Sequence, residues 1–213
     1  MKNPGIVETI LELPIFNAEW VLWLLLILSF VSVAVVIERI VFYAKHKVNT
    51  SSIRESLNKM LAEGDIDSAT KLLQKYDSIE TNVCLFGLRE HKRGPYAVDE
   101  LLSGAGAHES ERYQKRLNFL ATIGSNAPFI GLFGTVLGII KAFAELGNDL
   151  TNAGAGLMGA ISEALVATGV GLFVAIPAVI AYNWFNRMVE SREANGLLLS
   201  KTLMAHLKSE ETA

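Results

Sequence analysis

Two threonines and one glutamate stand out because each lies within or beside a long apolar stretch of the sequence. Thr135 and Thr168 each lie inside a run that contains no Asp, Glu, Lys or Arg, and Glu163 immediately precedes the second of these runs. A threonine hydroxyl donates and accepts hydrogen bonds without titrating near neutral pH. A carboxylate within a membrane-spanning helix costs about 2.5–3.5 kcal/mol even on a lenient scale, and it is by default a functional hypothesis. The three side chains are therefore candidates for holding water or an ion in apolar surroundings.

Counting along the two runs predicts that both threonines lie at the same depth. A membrane core is about 20 helical residues thick, and we take Tyr182 and Trp184 as anchors at the inner interface. The outer edge then lies near Lys141 in the first run and near Ser162 in the next. Both threonines fall roughly 9 Å below that edge. The plainer alternative is that each hydroxyl bonds to the carbonyl four residues back in its own helix.

Glu163 falls near the outer edge by the same count, so a carboxylate at the interface is an alternative to one that faces a pore. Five residues separate it from Thr168, which is roughly 140° around a helix. The helical wheel alone therefore does not place both side chains on one face.

The composition is that of a membrane protein. Hydrophobic residues make up 51% of the 213 residues and charged residues 19%, and the mean hydropathy is +0.33. The three charge-free runs are Trp20–Ile37, Leu117–Ile140 and Ala164–Asn186, with lengths of 18, 24 and 23 residues. A helix that spans a membrane needs roughly 20 residues. The first reaches that length if it extends to Tyr43, with Arg39 snorkelling to the interface. Three buried helices of a soluble bundle would need a polar shell that this chain lacks.

The distribution of basic residues predicts the direction of the three spans. Of the 19 lysines and arginines, 17 lie in Arg39–Arg116 or in the tail Arg187–Lys208, and such residues collect on the cytoplasmic side. The leading segment is acidic and lacks the basic start of a secretory signal peptide. We therefore expect the N-terminus outside, the C-terminus inside, and the second and third spans as an antiparallel pair.

The region between the first two spans predicts solvated helices with recognisable ends. Ser52–Glu55 has the spacing of a capping box. Gly64 suits a helix end, Asp65 suits the cap of the next helix, and Gly94-Pro95 suits another start. From about Val98 the pattern runs without a strong breaker into the second span, which predicts one long helix there. The tail after the third span is expected to continue that span as a helix.

Small residues and prolines in the later spans predict close packing and bends. Gly134 and Gly138 form a small-xxx-small pair, which allows helix backbones to approach closely in lipid. A stripe of small residues in the third span favours either a tight helix–helix face or the lining of a narrow pore. Prolines should bend both helices. Packing and bending roles are thus assigned to Gly131, Gly134, Gly138, Gly171, Pro128 and Pro177.

Several function classes are disfavoured. The net charge of −3 offers no basic excess for nucleic acid. The single cysteine, Cys84, cannot form an intrachain disulfide or a cysteine-only zinc site. The four histidines are scattered without metal-ligand spacing, and no phosphate loop or catalytic constellation is evident. We therefore expect no metal, no cofactor and no enzymatic activity.

Two segments resemble the paired signature of the MotA/TolQ/ExbB proton-channel proteins, and the match is closest to the ExbB and TolQ branches. They are NAPFIGLFGTVLGIIKAF (Asn126–Phe143) and ISEALVATGVGLFVAIPAVIAYN (Ile161–Asn183). The resemblance implies a homopentameric ring whose second and third helices line a pore. It also implies single-span ExbD/TolR-like partners carrying an essential aspartate. The family's pore threonines fall on Thr135 and Thr168, and its third-helix glutamate falls on Glu163.

The resemblance further implies a multi-pass protein of the bacterial inner membrane. It would use the proton-motive force to energise a TonB/TolA-like periplasm-spanning protein in uptake, envelope maintenance or motility. The alternative is a membrane scaffold without ion conduction, which would not need the two hydroxyls and the carboxylate.

The predicted divisions are a periplasmic segment (1–19), a span (20–43), a cytoplasmic helical domain (44–116), a span (117–144), a periplasmic loop (145–157), a span (158–186) and a cytoplasmic helix (187–213).

Overall fold

The computed structural model describes the backbone of residues 19–148 and 153–211, and the side chains of 19–144 and 158–211. Residues 1–18 of the predicted leading segment and 149–152 of the predicted loop lie outside this range. Within it all regular secondary structure is helical, and there is no strand. The helices are α1 (Glu19–Lys45), α2 (Thr50–Ala62), α3 (Ile66–Gln74), α4 (Ile79–Arg89), a 3₁₀ turn (His91–Arg93), α5 (Pro95–Gln114), α6 (Leu117–Asn148) and α7 (Ala153–Glu211).

Three of these helices, α1, α6 and α7, contain stretches long and apolar enough to cross a membrane. The prediction of an all-α protein with three candidate spans is therefore confirmed. α7 continues without a break to Glu211, as expected for a tail that extends the third span. α6 and α7 also run through Pro128 and Pro177. Neither proline ends its helix, and the bends expected at both positions stay predictions.

The chain divides into two compact units. The first, which we call the apolar unit, comprises the described parts of Met1–Val36 and Asn118–Tyr182; the second, the polar unit, comprises Ile37–Leu117 and the described part of Asn183–Ala213. The core of the apolar unit is formed by apolar side chains of α1, α6 and α7, which are Val21, Leu25, Ile123, Ala127, Leu137, Val174, Ala175 and Ala178.

The polar unit has its own core, built from one face of each of its short helices and from the last part of α7. Leu57, Leu73, Leu88 and Leu203 are each at most 1% exposed and belong to one cluster of buried apolar side chains. A residue that recurs on one face of an amphipathic helix buries its side chain there while the opposite face stays solvated. The unit is thus a helical domain that folds around its own core.

Two predicted helix boundaries in the polar unit are confirmed and one is wrong. Gly64 adopts a left-handed φ of +72°, and Asp65 then caps α3 by accepting from the Ser68 backbone N–H at 2.9 Å. Gly94 (φ +83°) likewise precedes α5. The expected capping box at Ser52 is absent, because α2 begins at Thr50 and Asn49 is its cap. Asparagine and serine cap helices about equally well, so the sequence did not distinguish them.

The predicted continuous helix from Val98 into the second span is also wrong. α5 ends at Gln114, Lys115 is extended (φ −49°, ψ 134°), and Arg116 has a left-handed φ of +68°. That conformation costs a non-glycine residue roughly 1–2 kcal/mol. Burial of Tyr113 and Leu117 on either side, and an ion pair of Arg116 with Glu38 at 3.1 Å, favour the break.

Two arginines are buried within the polar unit. Arg192 of α7 is 8% exposed and Arg39 of α1 is 4% exposed. Arg192 donates to the backbone carbonyl of Tyr43 at 2.9 Å and to that of His46. These carbonyls lie at the C-terminal end of α1, where helix carbonyls lack partners and a cation is favoured. Arg192 thus completes the end of the first candidate span.

Candidate functional site

Small residues bring α6 and α7 together as an antiparallel pair. From one end of the contact to the other, Gly124 meets Val179 and Gly138 meets Ala164. The partner number falls as the glycine number rises, so the two helices run in opposite directions, as predicted. A β-carbon added to Gly138 would lie 2.6 Å from the Ala164 Cβ. Glycine at such a position permits the close approach that helix association in lipid requires.

The two backbones approach each other most closely near the middle of this contact. A β-carbon on Gly131 would lie 2.7 Å from the Ala167 carbonyl oxygen and 3.1 Å from the Gly171 Cα. A β-carbon on Gly134 would lie 2.8 Å from the Ala167 Cβ. The small stripe on α7 is buried against α6, with Ala164 and Ala178 each 1% exposed. Of the two interpretations left open for this stripe, the described contacts support a tight helix–helix face.

This close approach joins the two threonine hydroxyls. The Oγ1 atoms of Thr135 and Thr168 are hydrogen-bonded to each other. Thr135 Oγ1 also lies 3.1 Å from the Ala164 carbonyl oxygen, which is one turn before Thr168 on its own helix. Thr168 Oγ1 lies 3.3 Å from the Gly131 carbonyl oxygen, one turn before Thr135. Each hydroxyl thus reaches across to the carbonyl beneath the other, in a crossed arrangement.

The alternative of a hydroxyl bonding its own helix is present at the same site. Thr135 Oγ1 lies 3.3 Å from the carbonyl oxygen of Gly131, four residues back in α6. The two interpretations of the threonines therefore do not exclude each other. Sequence reasoning predicted the shared depth of Thr135 and Thr168, but it did not predict their direct bond or the shared carbonyl of Gly131.

The hydrogen count decides what this pair can do. The two hydroxyl hydrogens can fill only two of the three contacts at one time, namely the bond between the threonines and one of the two cross-helix carbonyls. Each hydroxyl oxygen has two lone pairs. Either hydroxyl can be the donor in the Thr135–Thr168 bond, and in both cases that bond uses one of the four lone pairs. The others can accept from a water or a protonated carboxyl. Both threonines are half-buried within one chain, so one side of the pair remains accessible.

The structure does not bring Glu163 into this hydrogen-bonded group. Its side chain is exposed, and the Gly138–Ala164 contact places its position level with about Ile139 of α6. Five residues of helix put Glu163 about 7.5 Å from the level of Thr168. Any role of Glu163 in an ion pathway therefore requires a separate contact from that of the threonines.

One feature of α6 was missed by the sequence analysis. Four uncharged polar residues, Asn118, Thr122, Ser125 and Asn126, are all exposed and recur at spacings of four, three and one residue. That spacing places them on one helix face, and the signal was readable in the sequence. The opposite face of α6 carries Ile123 and Ala127, which are buried in the core of the apolar unit.

The site holds no cluster of metal-ligand side chains. Among the described residues, no group of three or more His, Cys, Asp and Glu side chains lies close enough together to bind a metal ion. The polar groups that meet at the α6–α7 contact are the two threonine hydroxyls and backbone carbonyls.

Comparison with known proteins connects this geometry to a family. A sequence model described as the MotA/TolQ/ExbB proton channel family matches residues 75–195, which is more than half of the chain. The Tol-Pal system protein TolQ of Haemophilus influenzae is 35% identical over 194 residues, 82% of each protein. The biopolymer transport protein ExbB of Neisseria gonorrhoeae is 38% identical over 148 residues, 67% of this chain and 66% of the relative.

A third relative is more similar over a shorter stretch. The TolQ protein of Pseudomonas aeruginosa is 49% identical over 84 residues, but these are only 39% of this chain and 36% of the relative. The match to the Neisseria relatives spans just under two thirds of their length. The family match covers the positions of both threonines and Glu163. Because this match extends over more than half of the chain, the chain belongs to the MotA/TolQ/ExbB proton channel family.

Proposed function

We propose that this chain is the ring-forming subunit of a proton-driven motor complex in a bacterial inner membrane. Five copies surround the helices of single-span ExbD/TolR-like proteins, and proton flow energises a TonB/TolA-like protein that spans the periplasm. The observation that carries the proposal is the crossed hydroxyl pair of Thr135 and Thr168. It is a polar site at the most closely packed part of the α6–α7 contact.

The chemistry of the pair suits a divided proton site. Threonine hydroxyls do not titrate near neutral pH, but they can hydrogen-bond both a carboxylate and its protonated form. The titrating group is then the aspartate of the partner, and the hydroxyls solvate it in both states. A proton moving across the membrane releases about 2.3 kcal/mol per 100 mV. Protonation removes the charge of that aspartate and frees its helix to move relative to the ring.

The outer surface of the helix pair is consistent with further contacts to lipid and to other chains. Phe173 and Ile180 of α7 are 74% and 63% exposed within one chain. Large apolar side chains at such positions need a lipid or protein neighbour, because the exposed apolar area would otherwise face water. Lipid contacts and contacts between copies both satisfy this requirement.

The topology belongs to the same proposal. The basic residues beyond the first and third spans favour a cytoplasmic location for residues 44–116 and 187–213. Residues 1–19 and 145–157 would then lie in the periplasm, with the spans at 20–43, 117–144 and 158–186. Cysteine accessibility from each side of the membrane tests this arrangement.

Substitution of Thr168 tests the proposed function. We expect Thr168→Val to abolish proton-driven work in cells that depend on the complex, while the native mass of the purified complex still corresponds to five copies with their partner. Thr168→Ser keeps a hydroxyl and should retain most of the activity. Thr202→Val is the matched control on the same helix, because the Thr202 hydroxyl bonds only to its own helix at 3.0 Å to the Leu198 carbonyl oxygen.

The scaffold alternative makes the opposite prediction. If Thr168→Val preserves proton-driven work, the hydroxyl pair is a packing feature and the proton-site assignment is wrong. Glu163→Gln tests the weaker part of the proposal separately. Unchanged work in that variant would identify Glu163 as an interfacial carboxylate without a role in ion movement.

A further inference from the structure

The exposed polar face of α6 directs hydrogen-bond acceptors away from the helix. The Thr122 hydroxyl donates to the Asn118 carbonyl at 2.8 Å, and the Ser125 hydroxyl donates to the Ala121 carbonyl at 2.9 Å. The Asn126 amide nitrogen donates to the Thr122 carbonyl at 2.8 Å. The Asn126 amide nitrogen also donates to Ser125 Oγ at 3.3 Å. Because these donors are all engaged within α6, the groups that remain available to accept are the oxygens of Thr122 and Asn126 and the second lone pair of the Ser125 hydroxyl.

This face lies at a depth where the neighbouring helices present apolar side chains. Val21 of α1 contacts the position of Gly134, and consecutive spans cross in opposite directions. Nine residues after Val21 in α1 is Phe30, and nine residues before Gly134 in α6 is Ser125, so Phe30 and Ser125 lie at about the same depth. Phe30 is 78% exposed. On α7, Val179 meets Gly124, and Ile176, one turn closer to the membrane centre, is 57% exposed.

Lipid does not suit the polar face of α6. Uncharged polar side chains inside a membrane turn toward protein or toward a water-filled cavity, because hydrocarbon cannot satisfy their hydrogen bonds. A helix of a second copy would have to supply donors to three outward acceptors. Water supplies such donors without any matching residues, and a hydrated proton supplies three.

We propose that Thr122, Ser125 and Asn126 line a water-filled vestibule that forms the cytoplasmic half of the proton pathway. This inference rests on the proposed function and adds the route by which protons leave the threonine level. Acceptors without negative charge stabilise a hydrated proton and do not trap it, because none of the three side chains takes up a proton near neutral pH.

The vestibule ends before the threonine pair. Phe129, Leu132 and Phe133 follow on α6 and are exposed and apolar, and nine residues, about 13.5 Å of helix, separate Asn126 from Thr135. Water in the vestibule is therefore separated from the crossed hydroxyls by an apolar segment. The proton crosses this segment in one of two ways. Either the carboxyl of the partner helix carries it, or the apolar segment opens and admits water.

Thiol accessibility tests the vestibule in the assembled complex. Ser125→Cys and Asn126→Cys are introduced into the full chain, co-expressed with its single-span partners, in inverted inner-membrane vesicles whose cytoplasmic face is outside. A charged, membrane-impermeant thiol reagent is the probe. Phe30→Cys is the control at matched depth, and the unmodified chain reports any reaction of Cys84, which is 0% exposed.

We expect Ser125→Cys and Asn126→Cys to react at least about 10-fold faster than Phe30→Cys in inverted vesicles, and not in vesicles of the opposite orientation. Reaction no faster than that of Phe30→Cys would overturn the vestibule and assign this face to a contact between chains. Reaction from both sides would overturn the apolar separation. Serine and cysteine are nearly isosteric, so Ser125→Cys is expected to assemble even if Asn126→Cys does not.

The two proposals fail in different ways. If Ser125→Cys reacts rapidly while Thr168→Val keeps full proton-driven work, the assignment of the threonine pair as a proton site is wrong. The assignment of a water-filled face on α6 is then still supported. If Thr168→Val loses that work while Ser125→Cys is unreactive, only the vestibule is wrong. A second measurement uses the combined variant Thr122→Val, Ser125→Ala, Asn126→Leu. Its proton flux should fall about 10-fold or more while the native mass of the complex is unchanged. An unchanged flux would contradict the vestibule.

Discussion

Gly131 of α6 and Gly171 of α7 face each other so closely that neither has room for a β-carbon. A Cβ on Gly131 would lie 3.1 Å from the Gly171 Cα, and one on Gly171 would lie 3.0 Å from the Gly131 Cα. The carbonyl of Gly131 is also an acceptor for the hydroxyls of both Thr135 and Thr168. The close backbone approach is therefore what allows the two hydroxyls to meet.

The first prediction is that Gly131→Ala destabilises the protein. The new methyl group would lie 2.7 Å from the backbone carbonyl oxygen of Ala167, which cannot move without shifting α7. Overpacking of this kind costs about 1–3 kcal/mol, and we expect a lower thermal midpoint in detergent together with reduced proton-driven work. Gly169→Ala is the control, because a β-carbon there meets nothing within 4 Å in the chain. An equal loss in both variants would contradict the packing argument.

The second prediction concerns the buried Arg192. Replacing it with Met removes charge-assisted hydrogen bonds to the carbonyls of Tyr43 and His46. Such bonds are each worth about 1.5–3 kcal/mol, so the thermal midpoint in detergent should fall by several degrees. Arg187→Met, at an exposed position on the same helix, should change it little. A midpoint unchanged by Arg192→Met would show that the end of α1 is held by other contacts.

The third prediction is a pH dependence of the Asp77–Arg112 ion pair, which is bidentate at 2.7 and 2.6 Å. The hydrogen bonds from Arg112 hold the pKa of the Asp77 carboxyl well below its ordinary range. A carboxyl whose pKa is lower in the folded state than in the unfolded state stabilises the fold above its unfolded pKa of about 3.9. That contribution is lost as the pH falls toward the lower, folded-state pKa.

Denaturation of the wild type and Asp77→Asn at pH 7 and pH 3 measures this effect. We expect a difference of at most about 1 kcal/mol at pH 7, since the pair is solvent-exposed, and a smaller difference at pH 3. In an Arg112→Met background the same comparison should show much less dependence on pH. A difference that grows as the pH falls would reverse the sign of the argument.

The fourth prediction is that Cys84 does not react in the folded protein. Its side chain is 0% exposed, and burial raises the pKa of the thiol to about 12. Because the thiolate is the reactive form, maleimide at neutral pH should label the chain only after denaturation. Rapid labelling of the native complex would show that the core between α4 and α7 opens readily.

Much of the apolar unit could be predicted from the sequence, because a long charge-free run and a regular spacing of small residues are each properties of a single helix. The runs predicted the three candidate spans, and counting from interfacial residues predicted the common level of Thr135 and Thr168. Their direct bond was not predictable, since it depends on how closely Gly131 approaches Gly171. The spacing of Ser125 and Asn126 with the other polar residues of α6 could have predicted the polar face. It was not predicted because only charged residues were counted within the charge-free runs.

The boundary between α5 and α6 shows the opposite case. No glycine or proline marks the break at Lys115 and Arg116, so local sequence favoured a continuous helix. Tyr113 is fully buried and its backbone carbonyl accepts from the Tyr43 hydroxyl at 2.8 Å, while Arg116 pairs with Glu38. These partners lie about 70 residues away in sequence, and a reading of local pattern does not include them.

The central claim is tested most directly by proton flux into liposomes that contain the complex of this chain with its single-span partners. A pH gradient and membrane potential are imposed, and the interior pH is followed for the wild type, Thr168→Val and Thr168→Ser. We predict flux for the wild type and Thr168→Ser, and at least a 10-fold lower flux for Thr168→Val in complexes of the same native mass. Equal flux in all three would contradict the assignment of the crossed hydroxyl pair as part of the proton pathway.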